Sequence, residues 1–346
     1  MEAVGVLQAI NVNLLIKKDV SLCQRYKKLK ISMLNRRHIR VKVLQSLYSY
    51  SQSGVYNLEQ GEKTLIKDIH KLYEMYLYHL FLLREICDYT TRYANAKESN
   101  FMSAIEKNTV NRKLATNTVA VQLFKDPIFN QELARHHIGN YHDTPDILER
   151  IFKKLLETEQ YTQYLAQTQH STQDDVAILM HIYTTIIMEN ESCDDHFEEI
   201  SIFWQSDADL ITIDVVKFLK DFELFKAIQL QPISKNWEID KDFAIQLFRQ
   251  VILNKNEYEQ YIADNAQNWD SERIALTDMH IMMLAITESI YFNEIPIKVT
   301  INEFLEVAKY YSTPKSTIFI NGILDKIILD LKEKGIVKKI GRGLVE

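Results

Sequence analysis

Only 8 glycines and 5 prolines punctuate this chain of 346 residues, and that scarcity limits its folds more than any other feature. A many-stranded sheet needs tight turns, which draw on Gly for positive φ and on Pro for a preset φ. Here Leu, Ile, Lys, Glu and Gln fill long stretches without interruption, so the chain reads as all-α. Hydrophobic residues make up 46% and charged residues 25%, enough for a sizeable core. The length admits one large domain or two ordinary ones.

Apolar periodicity places the helices. Ile39, Val43, Leu47 and Tyr50, with Leu44 beside them, form a stripe over 35–52 that starts at Asn35 as N-cap and ends at Ser53-Gly54. The segment 62–95 has an apolar face wide enough to be buried on more than one side, with Tyr73, Tyr76, Leu77, Leu80, Phe81 and Leu83 at helical spacing. Further helices are expected at 109–124, 130–138, 145–168, 172–190, 194–204 and 207–223. The last third reads as helices near 241–254, 256–266, 271–292, 299–311 and 315–334. Thr300 is the expected cap of the fourth of these, and Thr313-Pro314 sets up the fifth. Gly335 should stop the last helix and leave KKIGRGLVE as a loose tail.

Charge is distributed unevenly. The net charge is −6 and the pI about 6.0, which excludes a protein that is basic all over. Yet Arg36, Arg37 and Arg40, flanked by His38 and Lys42, crowd the start of one helix. The N-terminal turn of a helix already carries partial positive charge, so cations there are locally unfavourable. The same place suits phosphates, because the dipole, N–H groups and guanidinium forks converge on one anion. By pattern alone two readings stand: a site for RNA or another polyanion, or a solvated face with intramolecular ion pairs. Screening over about 8 Å lets a local patch act despite distant acidic residues.

Residues 1–32 hold six basic residues against two acidic ones, unlike the rest of the chain. Met33 directly precedes the helix start, so the expectation is a native start at Met33, with 1–32 an upstream-read extension; the alternative is a basic arm that assists RNA binding. Cys23, Cys87 and Cys193 form no CxxC pair, which fits a reducing, cytoplasmic setting better than a disulfide framework. No apolar run approaches the ~20 residues that span a bilayer. The His136, His137, His142 and Asp143 cluster lacks a clean i, i+4 His pair. The run from Cys193 to Glu199 is explained by acidic residues at a helix N-terminus. No metal or cofactor is expected. Phosphate-loop, dinucleotide, nucleophile-elbow and zincin motifs are absent, which favours a binding protein over an enzyme.

Two stretches carry a family resemblance: RRHIRVKVLQSLYSY at 36–50, and WDSERIALTDMHIMMLAITESIYFNEIPIKVTINEFLEVAKYYSTPKSTIFINGILDKI from Trp269 to Ile327. Both resemble the NusB family of bacterial transcription antitermination factors, most specifically in PIKVTINE followed by FINGILDK. The resemblance implies an all-α fold of NusB-like helical bundles, here with a large inserted helical region. The implied divisions are a basic extension at 1–32, the arginine-rich first helix within 33–55, a helical insertion at 56–238, the C-terminal part of the NusB-like domain at 239–334 and a tail at 335–346. It further implies binding of the boxA element of rRNA leader transcripts together with ribosomal protein NusE, with other Nus factors and RNA polymerase engaged indirectly.

Carried over residue by residue, the implied RNA contacts are Arg36, Arg37, His38 and Arg40 in the first helix and Lys315, Ser316 and Thr317 where the last helix opens. His38 replaces an arginine common in the family, and Ile318 stands where a basic residue is frequent. The implied NusE-facing positions are Tyr48 and Asp278. Asn302, Glu303, Asn321, Gly322 and Asp325 read as scaffold, and Ile281, Leu284, Ala285, Leu305, Phe319 and Leu324 as core. The insertion's acidic stretch, Glu189, Glu191, Asp194, Asp195, Glu198 and Glu199, should repel phosphate. Two other classes compete: a NusB-like module of an rRNA methyltransferase, for which the glycine-rich loop is missing, and a protein-only adaptor whose arginines form ion pairs.

Overall fold

Fourteen α-helices and no strand occur among the described residues of the computed structural model, which are 32–54, 57–99, 112–139, 144–169, 171–266 and 274–344. The reading of residues 1–32 as an extension falls, but for Ser32, outside the described residues; Met33 itself is buried, and its N–H donates to the Pro232 carbonyl at 3.1 Å.

Helix α1 (Arg36–Gln52) begins where Asn35 turns extended and its side chain accepts from the backbone N–H groups of Arg37 and His38, at 2.9 and 3.1 Å. His38 returns the favour: its Nδ1 accepts from the Asn35 N–H at 3.4 Å, closing a reciprocal capping box. Ile39, Val43, Leu44 and Leu47 of α1 are buried, as the stripe predicts.

Helix α2 (Leu58–Ser99) has 42 residues, about 63 Å at 1.5 Å per residue. Every residue from Met75 to Arg84 is buried, so the middle of α2 is enclosed on all sides. Toward its start, Gly61 lies against Tyr50 of α1 and Phe248; a Cβ there would meet those rings at 2.9–3.0 Å, so only glycine allows the approach. Toward its end, Tyr89 and Tyr93 pack on Phe152.

The other helices of the expected insertion surround the later part of α2. They are α3 (Thr118–Lys125), α4 (Pro127–Arg135), α5 (Thr144–Leu156), α6 (Glu159–Ala166), α7 (Thr172–His181), α8 (Glu191–Ile200) and α9 (Trp204–Phe225). Three expected helices are subdivided, each for a local reason. The 109–124 helix begins only at Thr118, because Asn117 caps it after a 3-10 turn at Lys113–Thr116. The 145–168 helix is two, because Thr158 accepts from the Tyr161 N–H and starts α6. The 172–190 helix ends in a π-helical turn, Ile182–Ile187, before Asn190 caps α8.

The last part comprises α10 (Trp237–Leu253), α11 (Lys255–Asn265), α12 (Leu276–Tyr291), α13 (Ile297–Tyr311) and α14 (Pro314–Glu333). Helix α12 is its central element, buried continuously from His280 to Ser289, with α1, α10, α11, α13 and α14 packed around it. Two expectations are corrected here. Thr300 does not cap α13: Pro296 holds that position, while Thr300 is buried inside the helix and donates to Glu288. Nor is the tail loose. Gly335, at φ +68°, turns the chain in a Schellman geometry, with Gly335 N–H on the Lys332 carbonyl and Ile336 N–H on that of Leu331. The chain then docks on the loop after α12, where the Ile340 N–H donates to the Asn293 carbonyl at 3.1 Å.

One cross-tie joins α1 to α9. Lys42 Nζ donates to Asp207 at 2.6 Å, and both side chains are almost fully buried. Burial presses the Lys42 ammonium below its ordinary value and the Asp207 carboxyl above its own, and each partner's charge opposes the shift.

Candidate nucleic-acid interface

The three arginines of the first turns of α1 lie in three different settings. Arg40 is 3% exposed, and its guanidinium fork grips Glu288 of α12 through two bonds of 2.7 Å. Glu288 is fully buried, and its second partner is the Thr300 hydroxyl at 2.7 Å. Arg40 is thus a structural tie between α1, α12 and α13, which corrects its assignment as a surface RNA contact: its charge is sealed and its donors are engaged. Arg37 is different. It makes a fork to Glu303 of α13, at 2.9 and 2.8 Å, on the surface, with its side chain 44% exposed. This pairing raises the Arg37 pKa and holds the Glu303 carboxyl below its usual range. Arg36 reaches Asp240 of α10 at 3.0 Å, and its guanidinium lies 4.1 Å above the Phe243 ring.

His38 is half-buried and spent on the capping box. Burial lowers its pKa, so the ring favours the neutral form that accepting from Asn35 requires. The reciprocal cap also occupies the N–H groups of Arg37 and His38. An anion here meets guanidinium groups and the helix dipole, rather than the free backbone donors that the sequence suggested.

The opening of α14 is built by Thr313, whose hydroxyl oxygen accepts from the Ser316 N–H at 3.1 Å. Ser316 and Thr313 share a hydroxyl–hydroxyl bond of 2.9 Å, and the Thr317 hydroxyl donates to the Thr313 carbonyl at 3.3 Å. Lys315 is exposed beside them, and Ile318 is 78% exposed. Helix α13, like α12, packs on both α1 and α14 and so relates the two basic openings. On α13, Tyr310 is 83% exposed. It sits seven residues after Glu303, a same-face spacing visible in the sequence but passed over there.

Of the two implied protein-facing residues, Tyr48 is exposed at 44% and its ring meets His280 edge-on at 6.2 Å. Asp278 is 4% exposed and accepts a hydrogen bond from Ser312. That corrects its reading as a partner contact, since the carboxylate is already used inside the domain. The residues examined for metal binding are explained otherwise. His136 pairs with Glu74 and Glu132, and His196 hydrogen-bonds Tyr78 at 2.7 Å. Asp194 accepts from the Trp204 indole, while His142 and Asp143 lie outside the described residues. No helix among the described residues is long and apolar enough to cross a membrane.

The described residues thus form an all-helical fold whose cationic helix start is held by ion pairs against α10, α12 and α13. The NusB family model matches residues 212–329, beginning inside α9 and ending in α14. The chain is 45% identical over 106 residues to the transcription antitermination protein NusB of Chloroherpeton thalassium, covering 31% of this chain and 50% of that protein. It is 44% identical over 105 residues to the protein of that name from Salinibacter ruber, covering 30% and 66%. To that from Methylacidiphilum infernorum it is 35% identical over 127 residues, covering 35% and 89%. The chain belongs to the NusB family. The matched stretch spans half of the first of these relatives and 66% of the second, and about a third of the present chain. No solved structure matches it.

Proposed function

We propose that this protein is an RNA-binding transcription antitermination factor that engages the boxA element of rRNA leader transcripts together with ribosomal protein NusE, acting by binding and without catalysis. The observation that carries this reading is the exposed fork between Arg37 and Glu303. An exposed pair contributes only about 0–1 kcal/mol, so a phosphate can exchange for the carboxylate at little cost. Arg36 and Arg37 supply the first contacts, with Lys315, Ser316 and Thr317 a second set across α13. Arg40 and His38 hold the helix start in position. Tyr48 is the surface residue offered to the protein partner.

The test is an anisotropy titration of labelled boxA and scrambled RNAs, with and without NusE. Arg36→Ala and Arg37→Ala should each weaken binding about tenfold or more, as loss of a charge-assisted contact implies, while leaving the circular dichroism unchanged. Affinity should fall with salt by ~0.7 log units per log unit for each phosphate held. Unchanged affinity in both variants would defeat the reading. That outcome would favour the second one, an adaptor whose arginines serve only ion pairs. Its supporting observation is that each of the three arginines has a carboxylate partner.

A further inference from the structure

The docked tail creates a feature that the arginine helix does not account for. Between the start of α13, the end of α14 and the tail lies a hollow of about 350 Å³. Lys298, Lys332 and Lys339 line it with Ile297, Ile301, Val337, Gly343 and Leu344, and the lining includes no acidic residue. The Lys332 charge disfavours that of Lys339, and like charges gathered at one hollow are relieved by an anion. The tail is held there by definite contacts. Lys339 Nζ donates to the Phe292 carbonyl at 3.0 Å, and Gly343 is pressed so closely on the Asn293 carbonyl that a Cβ would lie 2.0 Å from it.

A chain of contacts links the hollow to the arginine helix. Arg36 lies over Phe243, Phe243 meets Phe292 edge-on at 4.8 Å, and the Phe292 carbonyl holds Lys339. Glu288, the carboxylate whose charge acts on Lys339, is already committed to Arg40 and Thr300. Burial pushes the Lys339 ammonium down to about 8, with Glu288 opposing the shift and Lys332 adding to it.

We propose that this lysine-lined hollow seats a backbone phosphate of the bound RNA, so that the RNA track runs from Arg36 past the Phe243–Phe292 edge to the docked tail. The inference rests on the RNA-binding reading above. It adds a sequence-independent contact, since phosphates position a nucleic acid without specifying bases.

The experiment uses the full chain with Lys298→Gln, Lys332→Gln and Lys339→Gln, and Lys125→Gln on α3 as a control. Lys332 is exposed, so its variant keeps the test clear of any undocking that Lys339→Gln causes. Each hollow variant should weaken boxA and scrambled RNA alike. The slope of log affinity against log salt should fall by ~0.7 when the phosphate contact is lost. In parallel, lysine acetylation mapped by mass spectrometry should show Lys332 and Lys298 protected by RNA but not by inorganic phosphate at matched anion concentration. If Arg37→Ala weakens RNA binding while the lysine variants leave both affinity and slope unchanged, the hollow is not on the track and the inference falls alone. If the wild-type chain binds no RNA, the functional reading falls; protection of the lysines by inorganic phosphate would then identify a free-phosphate site and overturn the RNA assignment. Equal protection at Lys125 would show non-specific shielding and also count against it.

Discussion

Replacing Arg40 separates a charge that holds the fold from a charge that meets a ligand. Arg40→Ala leaves Glu288, fully buried, with the Thr300 hydroxyl but without its two guanidinium bonds of 2.7 Å. Breaking a buried pair from one side costs about 3–5 kcal/mol, because a desolvated charge remains uncompensated. Against a typical stability of 5–15 kcal/mol, that is a large share. Arg37→Ala removes an equally well-formed fork, but on the surface, where the expected cost is about 0–1 kcal/mol. Urea unfolding followed by circular dichroism measures both. A cycle with Glu288→Leu adds the internal check: Arg40→Met with Glu288→Leu should recover most of the loss, since an apolar pair of similar volume carries no stranded charge. An Arg40→Ala cost below about 1 kcal/mol, comparable to that of an exposed pair, would refute the sealed-tie assignment. RNA affinity corrected for the folded fraction should then separate the two arginines in the opposite sense, falling for Arg37 and holding for Arg40.

Three other perturbations have defined outcomes. Asp214 is buried, one carboxyl oxygen lacks a hydrogen-bond partner, and its pKa is raised to about 7 by burial. The folded chain therefore keeps a proton that the unfolded chain releases near pH 4. Its contribution is full below that pH and is lost as pH rises through about 7, at up to ~1.4 kcal/mol per unit. Asp214→Asn should flatten that part of the stability profile in urea titrations, and parallel profiles would contradict the assignment. Gly343→Ala places a Cβ 2.0 Å from the Asn293 carbonyl, so the tail should lift and the Ile340 amide, which bonds that carbonyl, should exchange faster; an unchanged rate would mean that the tail does not depend on this contact. Asn35→Ala removes both cap bonds of α1 and should cost about 1 kcal/mol in thermal or urea unfolding, with no loss meaning that the His38 side of the box suffices.

Much of the helical layout was legible because the signals are local. Asn35 as the cap of α1, the Ile39–Val43–Leu47 stripe, Thr313-Pro314 and the Gly335 stop each depend on neighbours within a turn or two. The subdivisions at Asn117 and Thr158 were missed because a polar cap inside an amphipathic run resembles an ordinary solvated residue. The site was legible as a concentration of charge but not in its parts. The partners of Arg40 and Arg37 lie 248 and 266 residues away, on α12 and α13. Nothing in one sequence distinguishes Glu288 from a solvated glutamate. The same limit hid the burial of Asp278, whose partner Ser312 comes from the end of another helix.

The Lys42–Asp207 tie bears on how the chain can be dissected. A repeat array tolerates removal of a module because each unit meets only its neighbours. Here the first helix sends a buried cation into α9, and α2 runs as one rod from its contacts with α1 and α10 to those with α5. Trimming the chain to the length typical of its relatives would strand Lys42 and bare the apolar flank of α2. The helices outside the family-matched stretch therefore share buried contacts with α1, and their removal should lower the stability of what remains.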